Sequence, residues 1–139
     1  MNTPELLANL TTHYNALFRQ YSSRLSLTAS QAFHLFSIPV DGISMSGLAK
    51  KLGLDTSTLT RNVQKLEKLD LIRRKQKIND KRILVVHLTG QGRGKVQEIE
   101  DFLLDLNFSM MKHLDLNDQE NIPEMLEKLV WAMDCLREE

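Results

Sequence analysis

The chain has 139 residues, 42% of them apolar, and carries 18 basic against 18 acidic side chains. This is apolar material enough for a packed core in one domain, so a disordered protein is excluded, and no uncharged apolar run is long enough to span a membrane. Zero net charge argues at first against nucleic acid, yet residues 50–95 hold 13 Lys and Arg against 4 Asp and Glu, leaving 5 basic and 14 acidic residues elsewhere. A cationic centre can neutralise phosphates while anionic ends keep the remainder of the molecule off the backbone.

Residues 4–21 read as an amphipathic helix, with Leu6, Leu10, Tyr14, Leu17 and Tyr21 recurring every three or four positions and Leu7 and Phe18 broadening the stripe. Ser22 to Ser26 breaks that pattern. Thr28 with Gln31 forms a capping-box signature for a second helix, expected to bury Ala32, Phe33 and Phe36 and to end before Pro39. Val40 to Ile43, with Asp41-Gly42, reads as a turn leading to a short strand or extended link. Ser44 caps a brief helix, MSGLAKKL, whose apolar residues are Leu48, Ala49 and Leu52 and which Gly53 closes.

Only Gly53 and Leu54 separate that helix from Asp55, an N-cap opening DTSTLTRNVQKLEKL. Two helices joined by so tight a turn are the arrangement that sets a second helix into the major groove. Leu59, Val63 and Leu66 form one stripe for burial. At about 100° per residue the opposite face carries Ser57, Thr60, Arg61, Gln64 and Lys68, with Thr58 and Lys65 beside them. Hydroxyls, amides and cations of this kind reach base edges and phosphates. After Leu71 and Ile72 the period becomes alternating, and RRKQK and ILVVHLT read as two strands joined by a polar, cationic tip spanning Lys77 to Arg82. A long cationic hairpin has no core to serve, so Arg73, Lys75, Lys77, Asn79, Lys81 and Arg82 complete the candidate DNA-binding set.

From Thr89 onward Val96, Ile99, Leu103, Leu106 and Met110 alternate spacings of three and four, a heptad seam with Phe102 beside it. Gly90, Gly92 and Gly94 weaken its first turn, so this helix is expected to start a few residues after Thr89. Asn117 or Asp118 is expected to cap a last helix with Ile122, Met125, Leu126, Leu129, Met133 and Leu136 on one side and Pro123 near its start. Apolar helices at both termini point to a shared interface.

These residues carry a resemblance to a known family. Leu27-Thr28-x-x-Gln31, the helix start DTSTLTR from Asp55 to Arg61, and Asp80-x-Arg82 followed by Leu88-Thr89-x-x-Gly92 resemble the MarR family of winged-helix transcription regulators. The resemblance covers essentially the whole chain; one departure is Asp70, where the family usually has glycine. It implies a mainly α fold with a small β-hairpin wing: one domain over residues 1–139, with a winged helix-turn-helix core at 28–89 between dimerisation helices at 4–21 and 96–136. The function it implies is that of a homodimeric regulator, with repression as the expected mode, bound to a pseudo-palindromic double-stranded operator. By the same resemblance Arg82 enters the minor groove, Asp80 stabilises the wing by pairing with an arginine, and a small phenolic or aromatic effector binds where the dimer helices meet the winged lobes. Tyr14 and His34 are the candidate lining of that pocket, and a core role is the alternative reading for both.

Other chemistries find less support. No nucleophile beside a base, carboxylate pair or phosphate-cradling loop is legible, since Gly90-Gln91-Gly92-Arg93-Gly94 lacks the spacing of nucleotide-binding loops, so no enzyme and no cofactor is expected. His13, His34, His87 and His113 are scattered one to an element without an i, i+4 pair, so no metal site is expected. The single Cys135 excludes an intramolecular disulfide and a CxxC motif, and its acidic neighbours Asp134, Glu138 and Glu139 disfavour a reactive thiolate. MNTPELLANL lacks the basic-then-apolar pattern of an export signal, so the expected compartment is the cytoplasm. A winged-helix protein-interaction module without DNA readout is the alternative function.

Overall fold

In the computed structural model, which describes every residue from Met1 to Glu139, the chain divides into two compact units, Met1–Asp101 and Phe102–Glu139. The first unit opens with α1 (Thr3–Tyr21), where Asn2 and Glu5 each accept the other's backbone amide at 3.0–3.1 Å in a capping box. Of the predicted stripe, Phe18 is fully buried and packs on Phe33 with ring centroids 4.8 Å apart. Leu6, Leu10 and Tyr21 remain more than half exposed.

After a 3₁₀ turn at Ser22–Leu25, α2 (Ala29–Phe36) starts at the predicted box of Thr28 and Gln31. Its inner face differs from the expected one: Ala32 is buried and Phe33 partly so, but Leu35 and His34 also lie inside while Phe36 is 48% exposed. The buried arc is centred on Leu35, flanked by Ala32 and His34, and Phe36 falls about 100° further round. A histidine is admitted because both its ring nitrogens find partners: Nδ1 donates to the Ser30 carbonyl at 2.6 Å and Nε2 accepts from the Asn62 amide at 3.0 Å.

A two-residue strand, β1 (Ile43–Ser44), leads into α3 (Met45–Leu52), whose cap Ser44 accepts from the Gly47 amide at 3.0 Å. Gly53, at φ +68°, ends α3 in the left-handed conformation that glycine adopts without penalty. Next come α4 (Thr56–Lys68) and the strands β2 (Ile72–Lys77) and β3 (Asp80–Leu88), in an antiparallel sheet ordered β1-β3-β2. The core of this unit is built from Leu48, Leu59, Leu66, Ile72, Val86 and Ile99, each 1% exposed or less.

The helix α5 (Gly90–Met111) begins at Gly90 and not a few residues later, despite its three early glycines. Two interactions offset their poor propensity. The Thr89 hydroxyl accepts the Gly92 amide at 3.0 Å, and Gly92 lies so close to strand β2's approach that a Cβ there would overlap the Leu71 carbonyl oxygen. Gly92 is thus a packing requirement, whereas nothing surrounds the position a Cβ on Gly94 would take.

The second unit holds the rest of α5 and α6 (Leu116–Glu138). The cap of α6 is Asp115, not Asn117 or Asp118: its carboxylate accepts the Asp118 amide at 2.8 Å, and Gln119 bonds the Met111 and Leu114 carbonyls at 2.9 Å, which fixes the helix start earlier. Pro123 consequently falls inside the helix and not in its first turn. No residue of α6 is buried, and Leu126, Val130, Trp131 and Leu136 are 45–69% exposed. No helix in the chain is long and apolar enough to cross a membrane.

Two glycines two positions apart should therefore respond with opposite signs. Gly92→Ala should destabilise by about 1–3 kcal/mol through overpacking against backbone. Gly94→Ala should be neutral or stabilise by up to about 1 kcal/mol, the propensity difference in a helix. Urea unfolding of the two variants checks this, and equal shifts of the same sign would refute it.

Candidate nucleic-acid interface

The N-terminus of α4 is fixed by Asp55, whose Oδ1 accepts the Thr58 amide at 2.7 Å and whose Oδ2 accepts the Thr58 hydroxyl at 3.0 Å. These two bonds hold the Asp55 carboxyl below the usual carboxylate value. Leu59, Val63 and Leu66 form the fully buried stripe read from the sequence. Ser57, Arg61, Gln64, Lys65 and Lys68 are exposed on the other side, and Thr58 and Thr60 are half-buried. The two threonines are partly engaged within the helix. Thr58 serves the cap and sits 3.4 Å from an Arg61 guanidinium nitrogen, while Thr60 donates to the Thr56 carbonyl at 2.8 Å.

On the hairpin, Arg73, Lys75, Lys77, Asn79, Lys81 and Arg82 are all exposed. The turn is tighter than the predicted tip, since only Ile78 and Asn79 lie between the strands. Neither has a positive φ, so the turn is not one of the primed types whose twist suits a hairpin. The mismatch is taken up by a bulge. Gln76 faces Leu84 and Lys77 faces Asp80, so Lys81, Arg82 and Ile83 have no counterparts on β2.

Asp80 closes this bulge from inside. Its Oδ1 accepts both the Arg82 amide at 3.1 Å and the Arg82 Nε at 3.0 Å, and its Oδ2 accepts a terminal guanidinium nitrogen at 3.0 Å. The Arg82 side chain is held through its guanidinium yet 90% exposed. The guanidinium holds the Asp80 carboxyl below its usual range, and the carboxylate in turn raises Arg82.

One cation absent from the expected set, Arg74, turns inward to Glu67 of α4. Strand alternation is the signal that separates it, since Ile72 and Arg74 share the face that packs under the helix. Arg73, on the outer face, lies 3.1 Å from Asp70. Of the candidate effector residues, His34 lines a cavity of about 150 Å³ with Thr28, Ser30, Gln31, Asn62, Lys65 and Leu66. Tyr14 is not among its walls, and partial burial raises its phenol.

A family model, the MarR family, matches residues 27–84. The chain is similar to a protein of Bacillus subtilis (strain 168) described as the uncharacterized HTH-type transcriptional regulator YdgJ, at 40% identity over 57 residues, covering 41% of this chain. That match spans 35% of the relative's length. Among solved structures it is similar to wild-type MarR from E. coli in its apo form, with a TM-score of 0.82 and 26% identity over 93% of this chain and 97% of that one. A mutant E. coli MarR complexed with operator DNA matches with a TM-score of 0.75 and 27% identity over 91% of each chain. The MepR–DNA complex of S. aureus, at 19% identity and a TM-score of 0.75 over 95% of this chain and 98% of that one, shares the fold.

A recognition-type helix following a short helix and a tight turn, backed by a cationic hairpin, defines a winged helix-turn-helix protein. Residues 27–84 match the MarR family model, and the chain shares its fold with E. coli MarR over 93% of its length, so it resembles the winged-helix DNA-binding transcription regulators.

The wing clasp predicts a pH response. Because the Asp80 carboxyl is depressed in the fold, the clasp's contribution is fully present above the unfolded value near 3.8 and is lost only as pH falls through the lower folded value. In a carboxyl-carbon NMR titration Asp80 should therefore have a midpoint below 3.8, with the Arg82 Nε–H signal broadening over the same range. An Asp80 midpoint at or above that value would show the pair to be open in solution.

Proposed function

We propose that the chain acts as a homodimeric, sequence-specific repressor that reads the major groove with α4 and the minor groove with the wing. The observation that carries this reading is the division of α4 into a fully buried apolar stripe and an exposed face of Ser57, Arg61, Gln64 and Lys65, in the same unit as six exposed polar and cationic wing residues. Arg61 is assigned to base edges, where a guanidinium meets guanine O6 and N7 in bidentate fashion. Arg82 is assigned to the minor groove, with Asp80 fixing its aim.

Dimerisation through residues 4–21 and 96–136 is supported by the exposed Leu6 and Leu10 of α1 and by α6, where Met125, Leu126, Val130, Trp131, Met133 and Leu136 are exposed and no residue is buried. Two α4 helices of such a dimer would engage half-sites one DNA turn apart, about 34–36 Å. Release by a small aromatic effector rests on the resemblance alone. The cavity beside His34, about 150 Å³, is below the range of about 300–1,000 Å³ usual for small-molecule sites, so it is not assigned that role.

In vitro selection from a random duplex pool, followed by titration of the selected and a random duplex across a salt series, tests the reading. Affinity should fall steeply with salt, and Arg61→Ala should cost about 1–3 kcal/mol on the selected duplex while relaxing preference at particular bases. Arg82→Ala should weaken both duplexes by similar factors and lower the salt slope by about one, with Asp80→Ala a partial mimic. Binding insensitive to salt would instead favour a protein-interaction module.

The dimer is tested separately with Leu126→Glu, at a side chain 45% exposed in the single chain. Sedimentation should give monomers or aggregates. A folded dimer of this variant would exclude α6 from the interface.

A further inference from the structure

The four carboxylates among residues 50–95 each lower the attraction of this region for phosphate. Three have local tasks, since Asp55 caps α4, Asp70 occupies the corner after it, and Asp80 clasps Arg82. Glu67 has no such local task. It is on the last turn of α4, and its Oε1 accepts Arg74 Nε at 3.0 Å and a terminal guanidinium nitrogen at 2.8 Å. Both side chains are about three-quarters buried, at 28% and 24% exposed, and Arg74 lies opposite the fully buried Val86 in the ladder. A pair sunk this far is screened much less by salt than a surface pair.

The pair spans the two elements assigned above to the two grooves. The chain itself joins them through Leu69, Asp70 and Leu71, a corner held by backbone bonds from the Asp70 amide to the Glu67 carbonyl at 2.9 Å and from the Leu71 amide to the Leu66 carbonyl at 3.2 Å, which lie close to the pivot and resist a change of angle less than a contact further out along β2. The side-chain bridge closes a second connection across that corner. We propose that Glu67 and Arg74 are positioning residues that lock the wing at a set angle to α4, so that helix and wing can engage one duplex together only when its groove geometry fits, and thereby determine specificity. This rests on the DNA-binding reading above.

The proposal and simple electrostatics predict opposite signs. Glu67→Gln keeps the shape and removes a negative charge from a cationic region, so an electrostatic role alone would tighten every duplex. A positioning role should loosen the selected duplex about tenfold relative to a random duplex of equal length, the order of loss from one mismatched base pair, while random binding stays level or tightens. Arg74→Gln should lower the same ratio, and the double variant should lower it no further, because one bridge is lost in all three. The ratio is insensitive to the fraction of folded protein, since unfolded chains bind neither duplex, and urea unfolding reports stability alongside.

The full-length chain is titrated with the duplex recovered by selection and with the random one. A lowered, non-additive ratio supports the positioning role. An unchanged ratio for Glu67→Gln, or additive losses with a salt slope reduced by Arg74→Gln, would overturn it and make Arg74 a plain phosphate contact. Wild-type protein that shows neither salt dependence nor preference would overturn the DNA-binding reading itself.

Discussion

The relation between α4, the wing and α5 depends on the corner at Asp70 and Leu71 and on one threonine that binds it. Thr89 donates its hydroxyl to the Asp70 carbonyl at 2.6 Å and its amide to the Leu71 carbonyl at 3.0 Å. The same hydroxyl accepts the Gly92 amide at 3.0 Å and so caps α5. A single residue thus ties the end of α4, the start of β2, the end of β3 and the first turn of α5 into one joint. Gly92 completes it, because only a residue without a Cβ lets α5 approach the Leu71 carbonyl. Asp70 supplies the reversal with φ +61°, a conformation its short polar side chain tolerates better than most, though less well than glycine. Its pairing with Arg73 is well exposed and contributes little to stability.

Around this joint the charges sort by function. Arg82 meets Asp80 through Nε and one terminal guanidinium nitrogen, and its side chain nevertheless stays 90% exposed. Arg74 meets Glu67 through the same two nitrogens but is withdrawn from solvent. Two arginines on adjacent strands of one hairpin therefore make the same kind of pairing, and burial, not the place of the acid, separates them. The outward cations, Lys75, Lys77 and Lys81, are left exposed by strand alternation and by the bulge that re-aims the residues after Asp80.

Much of this was legible in the sequence where a local rule and the tertiary structure agree. The stripe of Leu59, Val63 and Leu66, the caps at Asp55, Thr28 and Ser44, and the stop at Gly53 follow from spacing and capping chemistry alone. The errors have long-range causes. The start of α5 was obscured because Gly92 answers to Leu71, twenty-one positions earlier, and not to helix propensity. Phe36 and Leu35 exchanged places because His34 is drawn inward by Asn62 of α4, a partner no local pattern reveals. The wing's bulge was invisible for the same reason, since a shifted register is a property of two strands and leaves no mark in either one. Asp80-x-Arg82, by contrast, is a contact within three residues; the family resemblance implied an arginine partner for Asp80, and Arg82 is that partner.

The apolar stripes of α4 and α6 show what periodicity can and cannot carry. Both recur every three or four residues, and that spacing correctly says that one face of each helix is apolar. In α4 the face is covered within the chain: strands β2 and β3 and helix α3 belong to the same unit, and the three stripe residues are 1% exposed or less. In α6 no residue is buried, and Trp131 is 69% exposed. Isolated apolar side chains on a surface need no explanation, but a stripe of them along a helix of 23 residues does. A helix that must remain formed without burying its own apolar face draws little stability from propensity, because most helical stability comes from packing. The exposed stripe of α6 is what supports the dimer proposed above, since a second copy of the same stripe would match it in length, spacing and concentration.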